Sequence, residues 1–186
     1  MSFRAMSLAA LAARVCEHCR KHGIEIVLSG GACVSIYTRN RYLSYDLDFV
    51  LLETVTRKRL RSVMESLGFK EEGRHFRHPD TPFLVEFLSP PLSVGAEPVR
   101  EIREITRGRS TLRLLSPTDC VKDRLAAFYY WNDRQSLDQA VFVCRAAEVD
   151  IVEVERWSIG EGMKSRFRQF KKEMERFPKK KGGKKT

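Results

Sequence analysis

The chain has 186 residues, of which 42% are hydrophobic and 31% charged. That balance excludes a disordered or fibrous chain, and the length suffices for one compact domain or a domain with a helical appendage. A formal net charge of +10 and a pI of about 9.6 favour polyanionic partners such as RNA, DNA, nucleotide phosphates or acidic membrane surfaces. No apolar run approaches the roughly 18 to 20 residues that a membrane span requires. Cysteines stand at positions 16, 19, 33, 120 and 144. The odd count and scattered spacing argue against a disulfide framework and for a reducing cytoplasm.

In chain order, the pattern predicts a helix over 4–22, amphipathic rather than a signal peptide. Arg20-Lys21-His22 and then Gly23 make an ordinary helix end. Cys16-Glu17-His18-Cys19 has the spacing of half a zinc site, but no second Cys/His pair stands at a suitable distance, and two cysteines on adjacent turns of this helix explain it better. Residues 24–28 read as a buried strand, broken by Ser29-Gly30-Gly31. A second helix is expected from Ala32 to Thr38, then a polar loop at 39–41 and a strand over 47–52. Residues 56–67 form an amphipathic helix with Leu60, Val63, Met64 and Leu67 on one face. Next come an irregular strand or hairpin arm over 69–78 and a strand over 83–88. A proline-rich loop follows over 89–98, then two strands near 99–105 and 111–115 around Gly108. His75 and His78 read as polar surface residues.

Ser116-Pro117-Thr118-Asp119 is a helix start: a capping serine, proline in the first turn, and an acid three residues after the cap. The pattern stays helical to about residue 176. The expected organisation is an α/β part over 1–115 and a helical domain over 116–177. Residues 178–186 contain five lysines and are expected to be a disordered basic tail.

The chemistry concentrates in strand, Ser29-Gly30-Gly31, helix, then Asp46 and Asp48 on the next strand. Glycines after a strand let the backbone approach a phosphate, and the helix behind them offers unpaired N–H groups to an anion. Residues two apart on a strand share a face, so Asp46 and Asp48 point together. Two such carboxylates repel unless a cation lies between them, and Mg²⁺ prefers carboxylate oxygens while sharing its shell with phosphates. Glu86, in the apolar strand Phe83–Leu88, is placed to complete a two-metal clamp for in-line displacement at phosphorus and to help deprotonate an incoming hydroxyl. The competing reading makes Glu86 an edge-strand acid facing water.

Gly30-Gly31 followed by Arg41-x-x-Ser44-x-Asp46-x-Asp48-Phe49 resembles the nucleotidyltransferase superfamily, closest to its minimal, abortive-infection-type (AbiEii-like) branch. The resemblance covers residues 24–88 well and 110–145 loosely. It implies an α+β fold, a small mixed sheet flanked by helices and followed by a helical part. It also implies Mg²⁺-dependent transfer of a nucleoside monophosphate from a nucleoside triphosphate to a hydroxyl. By that resemblance Ser29, Gly30 and Gly31 touch the triphosphate, while Arg41 and Ser44 steady the loop or the phosphates. Asp46 and Asp48 hold two metal ions, and Glu86 stands at a third carboxylate position that is often aspartate. In the helical part, Lys122 or Arg124 would neutralise triphosphate charge. In the second helical motif, Gln135 occupies the place of an aspartate and Asp138 is its remnant.

For Lys122, Asp123 and Arg124 the competing reading is an ion-paired, solvated helix face. Phe128, Tyr129, Tyr130 and Trp131 either stack a base or pack between the two parts. Lys164, Arg166, Arg168, Lys171 and Lys172 suit RNA or simply a charged outer face. The expected function is therefore nucleotidyl transfer to RNA (tRNA included), to a protein or to a small molecule of the antibiotic kind. A toxin paired with an antitoxin-like protein is one version of it. The alternative is an inactive nucleotide- or RNA-binding module with the same fold.

Overall fold

A computed structural model describes residues 3–176; the lysine-rich segment 178–186 lies outside them. After a single 3₁₀ turn at Phe3–Ala5, helix α1 spans Leu8–Lys21. It starts later than the pattern suggested because Ser7 caps it, its Oγ accepting from the Ala10 N–H at 3.3 Å. Leu8, Leu11, Val15 and Cys19 form the buried stripe. Strand β1 (Ile26–Ser29) is buried at every residue, as a central strand covered on both faces must be. Helix α2 (Gly30–Tyr37) follows without a loop. Strand β2 spans Asp46–Leu51 and helix α3 Arg57–Ser66.

The arm over 69–78 is a hairpin of β3 (Lys70–Glu72) and β4 (His75–Arg77), followed by β5 (Leu84–Leu88). The proline-rich loop contains a two-stranded ribbon, β6 (Ser93–Val94) with β7 (Glu97–Pro98). Strands β8 (Ile102–Arg107) and β9 (Ser110–Leu115) form a second hairpin, with Gly108 at φ +63° in its turn. The main sheet runs β3-β4-β5-β2-β1-β9-β8. It is mixed: β1 lies antiparallel to β2 and parallel to β9, and β2 lies parallel to β5.

Four helices follow. Helix α4 (Pro117–Trp131) begins at Ser116, whose Oγ accepts from the Asp119 N–H, and ends at Asn132 in the left-handed conformation. Helix α5 (Arg134–Ala146) is capped by Asp133 and α6 (Ile151–Gly160) by Asp150; α7 spans Lys164–Arg176. One apolar cluster joins Leu28, Phe49 and Phe87 of the sheet to Phe128, Trp157 and Phe170 of these helices. No described helix is long and apolar enough to cross a membrane.

The reading of His78 as a surface residue changes, and that of Cys16–Cys19 as helix residues stands. His78 is buried, its ring 4.0 Å from that of Phe3 and 5.2 Å from that of Phe69, because the hairpin folds it under the start of the chain. In the Cys16–Cys19 segment both thiols point into the core, and His18 Nε2 donates instead to the Val63 carbonyl at 2.9 Å. The aromatic block divides: Phe128 and Tyr129 are core, whereas Tyr130 and Trp131 are exposed.

Candidate active site

Strand register brings the acids together. Ser29 pairs with Asp48 across β1 and β2, and Asp48 pairs with Glu86 across β2 and β5. Glu86 in turn pairs with His75 on β4. Directly opposed residues of neighbouring strands share a sheet face. Ser29, Asp48, Glu86 and His75 therefore form one row across four strands, with Asp46 two residues along β2 on the same face. Asp46 is exposed and Asp48 half-buried.

The glycine turn is fitted to this row. Gly30 has φ +65°, and a Cβ placed there would come within 2.5 Å of Asp48 Oδ2. Only glycine supplies both the backbone conformation and the room. A Cβ on Gly31 would meet Ser44 Oγ at 3.3 Å. The Ser29 hydroxyl donates to the Asp48 carbonyl at 3.1 Å and makes no capping bond to α2, leaving the first-turn amides of α2 without a side-chain cap beside the acids. Ser44 holds the approach to β2: its N–H donates to Ser35 Oγ at 2.8 Å and its Oγ to the Asp46 carbonyl at 3.1 Å. Arg41 is exposed in the loop before them. Arg39 and Asn40 in that loop take left-handed backbone conformations.

Charge is unbalanced at the centre of the row. Burial, then the Glu86 and Asp46 carboxylates, push the Asp48 carboxyl up to about 6, and the Arg124 guanidinium partly offsets them. Arg124 thus reaches the row electrostatically from α4. It is anchored there by Asp123 (Nε to Oδ2, 2.8 Å) and by Gln139 Oε1 at 3.4 Å. Asp133, within Arg124's field, is held below its usual range: burial is outweighed by hydrogen bonds from Ser136 and Gln135 and by Arg124.

Lys122 is placed elsewhere. Its ammonium lies 2.6 Å from Glu153 Oε1 and 3.6 Å from Asp119 Oδ1, and it lines a cavity of about 690 Å³ together with Glu97, Glu153 and Arg156. Gln135 and Asp138 are exposed on α5, while buried Gln139 is the α5 residue that contacts Arg124. Sequence reasoning missed Gln139, because helical spacing does not say which face meets α4. It also missed His75, whose Nε2 lies 3.2 Å from Glu86 Oε2, and Arg74, whose Nε lies 3.4 Å from the same oxygen. Pairing a residue in a three-residue strand with Glu86 needs the hairpin register.

Among the described residues, no three His, Cys, Asp or Glu side chains are drawn together as a ready metal site. The donor set nevertheless suits a hard divalent cation. Asp46, Asp48 and Glu86 offer only carboxylate oxygens, and the raised affinity of Asp48 for a proton marks a position short of positive charge.

No family model and no curated protein matches the chain. Solved structures do. An antigenic nucleotidyltransferase-like protein from Paracoccidioides brasiliensis is 12% identical and superposes with a TM-score of 0.57, covering 77% of this chain and 78% of that one. The antibiotic-resistance factor ANT(2'')-Ia is 14% identical in its solution structure, with a TM-score of 0.51 over 91% of this chain and 95% of that one. Its complex with adenylyl-2''-tobramycin is 15% identical, with a TM-score of 0.53 over 86% of this chain and 95% of that one. At such identities the likeness speaks to the fold, which is nucleotidyltransferase-like.

Proposed function

We propose that this chain transfers a nucleoside monophosphate from a nucleoside triphosphate to a hydroxyl acceptor, with Mg²⁺. The observation that carries the reading is the row Ser29, Asp48, Glu86 lying against a Gly30 that has room for a carboxylate and none for a side chain. The nucleotidyltransferase-like fold supports it. In this scheme Asp46, Asp48 and Glu86 hold Mg²⁺, which when bound supplies countercharge and polarises the phosphoryl oxygens. The Gly30-Gly31 backbone and the first turn of α2 receive phosphate oxygens. Arg124 contributes positive charge from the helical side, and Arg41 does so from the loop. Ser44 keeps β2 in place. The acceptor oxygen attacks the α-phosphorus, its proton passes to Glu86, and the bond to the bridging oxygen breaks to release pyrophosphate. In this reading the 1–115 part carries the acids and the helical domain, 116–177, closes the site. The +10 charge favours RNA as acceptor.

A second reading, nucleotide binding without transfer, draws on Glu86 being engaged by His75 and Arg74, which competes with its service as a base. Incubation with α-labelled nucleoside triphosphates, Mg²⁺ and total RNA, tobramycin or the protein alone tests both. Label transfer that falls at least about 100-fold in Asp46→Ala and Asp48→Ala is expected. Metal-dependent nucleotide binding without transfer selects the second reading, and neither transfer nor binding overturns both.

A further inference from the structure

We propose that the exposed end of α4 and the outer face of α7 form a binding platform for single-stranded nucleic acid. The proposal concerns binding and stands apart from the transfer chemistry. Trp131, the last residue of α4, is 77% exposed. Tyr130 beside it is 47% exposed. The two rings meet edge to face at 6.2 Å, and the Tyr130 hydroxyl is tied to Glu161. Their neighbours Phe128 and Tyr129 are core residues, so the aromatic block divides into a buried half and an exposed half.

Helix α7 is fixed along this edge. Arg166 Nη1 donates to the Phe128 carbonyl at 2.6 Å and to Asn132 Oδ1 at 3.3 Å. The helix carries six basic and two acidic side chains and buries Phe167 and Phe170 inward. Glu173, one of the two acids, is already engaged by Arg134 and Arg176. Lys164, Arg168, Lys171 and Lys172 remain exposed. Their spacing of four, three and one residues is a single helical stripe of about 12 Å.

A stripe of cations tracks a phosphate backbone, and an exposed aromatic step offers a stacking surface for a base. The combination selects a single strand, since duplex bases present no free face to an indole.

The test uses the full chain and labelled oligo-U and oligo-dT of about 20 nucleotides, with a duplex of equal length. Of the two tryptophans, Trp157 is wholly buried, so quenching of intrinsic fluorescence on binding reports Trp131. Quenching by both single strands is expected. Trp131→Ala weakens binding about tenfold, and Trp131→Phe restores most of it. Changing Lys164, Arg168, Lys171 and Lys172 to glutamine lowers the salt-dependence slope by about 3 between about 50 and 200 mM salt. Binding is read in EDTA without nucleotide, so a failure of transfer leaves this result intact. Absence of binding overturns the platform. So does binding that persists undiminished in Trp131→Ala without quenching, or equal affinity for the duplex.

Discussion

At the scale of single residues, Gly30 and Asp48 constrain each other. The left-handed φ of Gly30 and the 2.5 Å approach of Asp48 Oδ2 to a would-be Cβ make Gly30→Ala doubly unfavourable. We expect a loss of about 1–3 kcal/mol and displacement of the carboxylate, read as a lowered melting temperature together with lost transfer. Asp48 carries the opposite burden. Burial and the nearby acids raise its carboxyl to about 6 in the metal-free chain, above the roughly 3.9 of an unfolded aspartate. The folded state therefore holds this proton more tightly. Its effect on stability is neutral below about pH 4 and becomes destabilising as pH rises through 6. In EDTA at pH 7, Asp48→Asn should be more stable than wild type by about 2 kcal/mol, and the difference should vanish near pH 4. Mg²⁺ should stabilise wild type and leave the variant unmoved. A less stable variant at neutral pH without metal would refute this account of the site's charge.

Between elements, the decisive ties are ionic and sit away from the acid row. Lys122 on α4 joins Glu153 on α6, and Arg156 on α6 joins both Glu153 and Glu97 on β7. Arg156 and Lys122 pull the Glu153 carboxyl down to about 2. Its stabilising contribution is complete above about pH 4.5 and is lost as pH falls toward 2. Lys122→Ala should cost about 1–3 kcal/mol, because it removes the buried cation that Asp119 and Glu153 share and leaves Glu153 to Arg156 alone. Its mark should be a lower melting temperature with an unchanged KM for the triphosphate. A large rise in KM with intact stability would return Lys122 to the phosphates. Arg124, two residues on and about 200° around the helix, faces Asp48 instead.

For the whole molecule, the apolar cluster that crosses residue 115 decides accessibility. All five cysteines are buried and none forms a disulfide among the described residues. Burial pushes the Cys16 and Cys19 thiols up to about 12. At pH 8 a thiol-specific reagent should leave the native chain unmodified over minutes and titrate all five cysteines after denaturation. Rapid reaction of one or more in the native protein would show that the core opens locally.

Whatever depends on local period and chirality is legible in the sequence. Asp46 and Asp48 share a face because strands alternate, and Ser116-Pro117 opens a helix. The bounds of β2, α3 and β5 follow from the same rules. Tertiary structure alone decided the rest. That Glu86 and His75 stand in line with Asp48 depends on the register of two strand pairs, β2 with β5 and β5 with β4. That Arg124 lies within reach of Asp48 and is held by Gln139, while Lys122 pairs with Glu153, depends on how α4 and α5 rotate about their axes to bury their apolar sides. Helical periodicity names the faces of a helix, and only packing says what each face meets. The Asp-x-Asp pair was legible because its geometry is contained within three residues; its neighbours were not, because theirs is contained in the fold.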